Sequence, residues 1–359
     1  MACALPLLGP VATALPPNRL PQAELRAVAQ AVLPDRPGTK DILAVFDNAR
    51  IDGRNLAMPV EWYLEKHGHK DRASVFQDVG LELVEQAARG ALANARLAPE
   101  DLDGIVLVST TGLATPSLDA RLMNRMPLRS DLARVPVWGL GCAGGVGGLN
   151  RAADLAKGNP DGHYLLVCME LCSLLFDIEK AIGGGGPADK KAVIAAALFG
   201  DGAAGLVVSG DQTGAKGLHH LAGRSHLFPD TERVMGWDVE DHNLDVVLSP
   251  KIPDIVRSTM AGLVAEFLAA SNGGRPADRV ILHPGGAKVV DAYESALGLA
   301  AFDLAPTHDA LRKFGNMSSP TVLFALKEAA DAGLLVPRST ALLGALGPGF
   351  ASELALVRA

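Results

Sequence analysis

The chain has 359 residues, 48% of them hydrophobic and only 4% aromatic, with a formal net charge of −7. Such proportions exclude a disordered or fibrous protein and suit one large soluble domain or two intimately packed halves. The mild acidity, with no Lys/Arg run, argues against nucleic acid as the main partner.

In chain order, the opening "MACALPLLGPVATALPP" looks briefly like a signal peptide, but it has no basic start and its prolines interrupt the apolar run. A secretory role is therefore not expected. No window reaches the ~18 uninterrupted apolar residues of a membrane span, so no span is predicted. Residues 79–112 read as an amphipathic helix, a Pro-containing loop and a buried β-branched strand ending in Thr and Gly. Next comes "VPVWGLGCAGGVGGLNRAADLAKG" (135–158), an apolar strand that turns into a helix through glycines around Cys142. Such a turn lets backbone approach a substrate and aims the positive end of a helix dipole at the first side chain. A thiol there should ionise more readily than a free one. The bland alternative is a buried structural cysteine. Cys3, Cys168 and Cys172 complete a set too small for a disulfide scaffold, and no second Cys/His pair at metal-binding spacing follows. No metal site is predicted; the thiols read as reduced and the compartment as cytosolic.

Further on, "LFGDGAAGLVVSG" (198–210) is a glycine turn followed by a strand. Residues 255–286 repeat the helix–loop–strand order of 79–112, with "SNGG" as the helix stop and "RVILH" as the strand. "GNMSSPTVLFALKEAADAG" repeats the helix opening at Cys142 and lays Gly315-Asn316 over Gly141-Cys142. "LGPGFASELALVRA" (346–359) echoes 198–210. Three echoes in one order indicate an internal duplication, with halves of 1–210 and 211–359. Alternating strands and helices predict an α/β protein with mostly parallel sheets covered by helices. Equivalent packing of the halves would bring Cys142 and Asn316 together from two helix N-termini. His283 closes "RVILH" at the carboxyl end of a strand, where such sheets present side chains to ligands. A Cys, a His and an Asn together supply a nucleophile, its imidazole partner and donors for an oxygen that gains charge.

The segments "GLGCAGG", "LFGDGAA", "ILHPGG", "FGNMSS" and "GPGF" together resemble type III polyketide synthases, the chalcone synthase-like branch of the thiolase fold, over nearly the whole chain. The resemblance implies a five-layered αβαβα sandwich of two duplicated halves, usually a homodimer. It implies condensation of malonyl-CoA onto an acyl-CoA starter, with coenzyme A thioesters as substrates and no separate cofactor. By the same resemblance, Cys142 holds the starter and growing chain as a thioester, and His283 and Asn316 bind the malonyl thioester carbonyl. Such donors would stabilise the enolate left when CO2 departs. Phe199 matches a gatekeeping aromatic, and the 347–350 turn, with Gly349 and Phe350, a loop that shapes the cavity floor. Ser318 of "GNMSS" joins the expected substrate-binding set.

Departures from the family pattern bear on substrate. Val246 falls where plant members carry a second Phe, Leu175 where chalcone-forming members have Thr, and Cys172 also replaces a Thr. Thr111 lies where the tetrahydroxynaphthalene-forming subgroup has an extra Cys, which argues against that product. The "ELCS" and "KFGNMSSPTVLF" forms look like bacterial members, among them alkylpyrone and alkylresorcinol synthases, and a smaller Val246 leaves room for a medium or long fatty acyl starter. The family's basic cluster near residue 45 is missing, so Arg50, Arg54 and Lys288 are the expected partners of coenzyme A phosphates. The Gly-Cys turn alone also fits a single-step ketoacyl synthase, and a non-catalytic acyl-CoA binder is the reading outside enzymes. "GNMSS" with "GPGF" favours the iterative enzyme, and Cys142, His283 and Asn316 together disfavour the binder.

Overall fold

All five residues of the strand Gly104–Val108 are buried, yet its side chains divide between two cores. Ile105 and Leu107 enter one apolar cluster, Val106 and Val108 another. That is the two-residue period of a strand covered on both faces. The strands His163–Leu171 and Asp201–Ser209 divide the same way, with Leu165 and Val167 on one side and Leu166 and Cys168 on the other. In the second half, Ala341, Leu343, Ala355 and Val357 join the cluster of Val106, while Leu342, Leu354 and Leu356 face a third.

The layers follow from these clusters. The helix His69–Ala95 covers the first outer face, through Leu83, Val84, Ala87 and Leu92. The helices Gly144–Gly158 and Thr321–Asp331 fill the middle, and Ile252–Ser271 with Ala287–Leu297 cover the far side. The result is an αβαβα sandwich. The computed structural model describes residues 5–33, 38–183, 189–241 and 243–359, so Cys3 lies outside the described residues.

Both halves repeat one strand plan. Gly104–Val108 runs parallel to His163–Leu171, which pairs antiparallel with Asp201–Ser209. Likewise Arg279–Leu282 runs parallel to Thr340–Gly347, which pairs antiparallel with Ala351–Arg358. The two-residue strand Leu7–Leu8, inside the segment that mimics a signal peptide, pairs with Asp201–Ser209 on one side and Leu218–Leu227 on the other. The sheets are thus mixed, which corrects the mostly parallel arrangement read from the sequence. Only residues 348–350 separate the last two strands, too few for a parallel crossover, so a tight antiparallel return is forced.

The two central helices approach closely because of glycine. A Cβ on Gly145 would stand 2.3 Å from the carbonyl oxygen of Ser319 and 2.5 Å from Val322 Cγ1. This contact carries the Cys142 turn to the Asn316 turn. Among the described residues, no helix is long and apolar enough to cross a membrane.

Candidate active site

Cys142 sits on the one-turn segment Gly141–Ala143, directly before the helix Gly144–Gly158. Gly141 has φ of +47°, and a Cβ there would stand 2.7 Å from Pro348 Cδ, so the turn closes on the 347–350 loop only with glycine. Its N–H donates to Thr110 Oγ1 at 3.1 Å. Asn316 arrives from the other half. Its N–H donates to Leu198 O at 3.0 Å, and Gly200 N donates back to Asn316 O at 3.0 Å, a parallel bridge with Phe199. Phe199 and Asn316 therefore share one backbone pairing.

The Cys142 thiol lies 4.0 Å from Asn316 Oδ1, which also accepts from Ser318 N at 2.8 Å. Asn316 Nδ2 donates to Gly285 O at 3.2 Å, leaving its second N–H for another acceptor. His283 follows the strand Arg279–Leu282 and is anchored by its backbone N–H on Gly344 O at 2.8 Å. It is 1% exposed, and neither ring nitrogen has a hydrogen-bond partner among the described residues.

Burial sets the protonation states. It pushes the Cys142 thiol up to about 11, with the neighbouring Ser318 and Asn316 opposing the rise and the nearby Glu170 adding to it. It pulls His283 down to about 3, so the ring is neutral. The easily ionised thiol expected from the helix terminus is corrected accordingly. Loss of water around the sulfur outweighs the dipole.

Glu170 escaped the sequence reading. It is fully buried in the strand His163–Leu171. Its Oε2 accepts from the N–H groups of Thr110 (2.8 Å) and Thr111 (2.9 Å) and from Thr111 Oγ1 (2.8 Å). Its Oε1 accepts from Ser319 Oγ at 2.7 Å. Burial raises its carboxyl to about 7 despite these donors. Glu170 thereby ties the Thr110 support of the Cys142 turn to the segment after Asn316. The available signal was a lone carboxylate in the apolar run "YLLVCMELC".

A cavity of about 1240 Å³ is lined by Cys142, His283, Asn316 and Phe199, and by Val246, Leu175, Cys172 and Ser318. Trp237, paired with Val246 across a hairpin, also lines it and was not singled out from the sequence. Three expectations are corrected. Thr111 does not line the cavity, because its hydroxyl is spent on Glu170 and on accepting from Leu171 N at 2.8 Å. Gly349 and Phe350 stand behind the wall, which Leu346 and Pro348 form; the Phe350 ring stacks on Phe228 at 5.6 Å. Arg54 is fully buried and donates to the carbonyl oxygens of Ala196 and Phe199, so it cannot meet a phosphate at the entrance.

At the cavity mouth Arg50 is held in a two-point ion pair with Asp291, at 2.6 and 3.1 Å. Asp41 and Asp47 stand on the side where a basic cluster was sought. Lys288, Lys190 and Lys191 also line the cavity, and among the described residues none of the three forms an ion pair.

Known proteins share this arrangement. Residues 64–212 match the family described as chalcone and stilbene synthases, N-terminal domain, and residues 220–359 match its C-terminal domain. The chain is 40% identical to a 1,3,6,8-tetrahydroxynaphthalene synthase of Streptomyces peucetius subsp. caesius, over 97% of this chain and 92% of the relative. It is 35% identical to a putative chalcone synthase of Bacillus subtilis (strain 168), over 96% of each. Among solved structures, the 1,3,6,8-tetrahydroxynaphthalene synthase of Streptomyces coelicolor A3(2), described as a bacterial type III polyketide synthase, superposes with a TM-score of 0.91 at 28% identity, covering 98% of this chain and 99% of that one. With its doubled αβαβα plan and the Cys142 and Asn316 turns meeting at one cavity, the chain belongs to the chalcone and stilbene synthase family, the type III polyketide synthases, which are acyltransferases.

Proposed function

We propose that this enzyme loads an acyl-CoA starter on Cys142 and extends it by repeated decarboxylative condensation with malonyl-CoA. The observation that carries this reading is the convergence of Cys142, His283 and Asn316 on one large cavity. In loading, Sγ attacks the starter thioester carbonyl, the acyl C–S bond to coenzyme A breaks, and the Cys142 proton ends on the departing coenzyme A thiol. In extension, the bond to the malonyl carboxylate breaks and CO2 leaves. Its electron pair becomes an enolate, whose oxygen accepts from the His283 ring N–H and the free Asn316 N–H. The enolate carbon then attacks the Cys142 thioester and releases Sγ, and the lengthened coenzyme A thioester reloads on Sγ for the next round. Donors fixed in a site with little water stabilise that charge without reorganising. No resident cofactor enters this scheme.

The starter we favour is a medium or long fatty acyl group, giving alkylpyrones or alkylresorcinols. Supporting it is an apolar wall that includes Val246, Leu175, Leu248, Ile194 and Leu198. Each buried methylene is worth ~0.8 kcal/mol, so a few carbons shift selectivity by orders of magnitude. Lys288, Lys190 and Lys191 are the cations we assign to coenzyme A phosphates. We take the working unit as a cytoplasmic homodimer; the edge strand Ala133–Val137, followed by Trp138 at 57% exposure, supports the dimer. A second reading, a small starter, is favoured by the 40% identical relative named for tetrahydroxynaphthalene synthesis.

A panel of acyl-CoA starters with malonyl-CoA, read by mass spectrometry, separates these readings. A kcat/KM that climbs with chain length, and falls for long starters in Val246→Phe, supports the fatty acyl reading. A flat series with products from malonyl-CoA alone supports the small starter. Products with a single added acetate unit would point to a ketoacyl synthase.

A further inference from the structure

Buried polar groups nearly always find partners within a folded protein. Around this cavity several find none among the described residues: both ring nitrogens of His283, the Ser318 hydroxyl and the Tyr293 hydroxyl. The condensation scheme uses His283. It leaves Tyr293 without a purpose.

Tyr293 lies on the helix Ala287–Leu297, is 0% exposed, and belongs to the apolar cluster of Val290, Leu346 and Phe350. A phenylalanine would satisfy every one of those packing demands. The hydroxyl adds only an unpaired polar group, which disfavours the folded state. Yet the side chain borders the cavity that holds Cys142. Burial, and then the charge of a Cys142 thiolate, hold its phenol well above the ordinary range. It therefore stays protonated, a neutral donor bordering the cavity that holds the sulfur.

We propose that Tyr293 is a further catalytic residue, whose hydroxyl donates a hydrogen bond to the thioester carbonyl oxygen of the chain carried on Cys142. This assignment rests on the condensing reading above. His283 and Asn316 serve the enolate oxygen of malonyl-CoA; the second oxygen that gains charge is the thioester oxygen, as Sγ or the enolate carbon adds to its carbonyl. A donor in the wall of the cavity that holds Cys142 meets that charge in a low-dielectric site, where it counts most. Tyr293 should therefore act in loading and in condensation, and not in decarboxylation.

The test is Tyr293→Phe in the full-length enzyme, with four readouts. They are melting temperature, CO2 release from malonyl-CoA without starter, acylation of Cys142 by acyl-CoA followed by intact mass, and product formation. The expected result is a melting temperature equal to or above wild type and CO2 release within twofold. Loading and condensation should both slow by about 10²-fold, the usual effect of a lost oxyanion donor. Loading and condensation within twofold of wild type overturn the proposal. A lower melting temperature with all activities falling in parallel also overturns it, in favour of a packing role. If wild-type enzyme forms neither acyl-Cys142 nor product from any starter, the condensing reading itself fails, an outcome seen before the variant is made.

Discussion

Replacing Arg54 by Met tests how the fold holds Phe199 and Asn316 in place. Arg54, on the strand Gly53–Leu56, donates from Nη1 to the carbonyl oxygens of Ala196 at 2.7 Å and Phe199 at 3.2 Å. Those carbonyls lie where the helix Lys190–Leu198 gives way to the segment that pairs with Asn316. Burial brings the guanidinium down to about 9, with nearby Asp201 opposing the shift, so it remains charged at neutral pH. Met fills much of the apolar space but leaves both carbonyls without this donor, at about 1–3 kcal/mol each. It also removes a nearby positive charge that favours the ionised Asp201, whose hydrogen bonds come from Ala57 and Ser173. Against this, Nε and Nη2 of Arg54 have no partners among the described residues, so their burial cost is relieved. The two orphaned carbonyls outweigh that relief, and the expected loss is about 1–3 kcal/mol. Urea denaturation reads it as a lower midpoint at unchanged slope. Turnover of malonyl-CoA should fall with kcat rather than KM, since the Phe199–Asn316 pairing moves and the mouth does not. Stability within about 1 kcal/mol of wild type, with a KM for malonyl-CoA raised tenfold or more and sensitive to salt, would refute the reasoning and return Arg54 to the coenzyme A phosphates.

Three further outcomes follow from the site. With Cys142 at about 11 and Cys168 and Cys172 raised well above the usual thiol range, iodoacetamide should label Cys142 first of the three. The rate should climb about tenfold per pH unit from 7 to 10, and a plateau below pH 8 would reveal a preformed thiolate instead. Asn316→Ala should slow malonyl-CoA decarboxylation by about 10²–10³-fold; near-normal CO2 release would remove Asn316 from the enolate site. Glu170 has its folded carboxyl raised to about 7, so the folded state binds that proton more tightly than the unfolded chain. Its contribution is complete below the unfolded value of about 4.3 and is lost as pH rises through 7. His283 and His220, pulled down to about 3 and 4, run the other way and contribute above pH 6.5. Urea midpoints of wild type and Glu170→Gln, compared from pH 5 to 8, isolate the carboxyl. Wild type should lose stability relative to the variant, and parallel profiles would clear Glu170 of the effect.

What the sequence determined by itself was the repeated plan and the meeting of its key turns. Helical and two-residue periodicities are local, so the elements at 79–112 and 255–286 were legible as the same device used twice. Gly141-Cys142 and Gly315-Asn316 were alignable because a close helix approach demands small residues in a fixed order, and that demand is written into composition. Burial is not written locally, and it decided the rest. Arg54 reads like any basic residue near a phosphate, and only the packing of the helix Lys190–Leu198 against the strand Gly53–Leu56 takes it out of water. Thr111 and Glu170 stand far apart in the chain and are joined only when their strands lie side by side. The direction of the last strand followed from a return too short to cross over. Tyr293, in "VVDAYESAL", is an ordinary residue of an amphipathic helix. Its unpaired hydroxyl exists only because the third apolar layer closes over the ring while the cavity borders it, a coincidence of distant segments that no local pattern encodes.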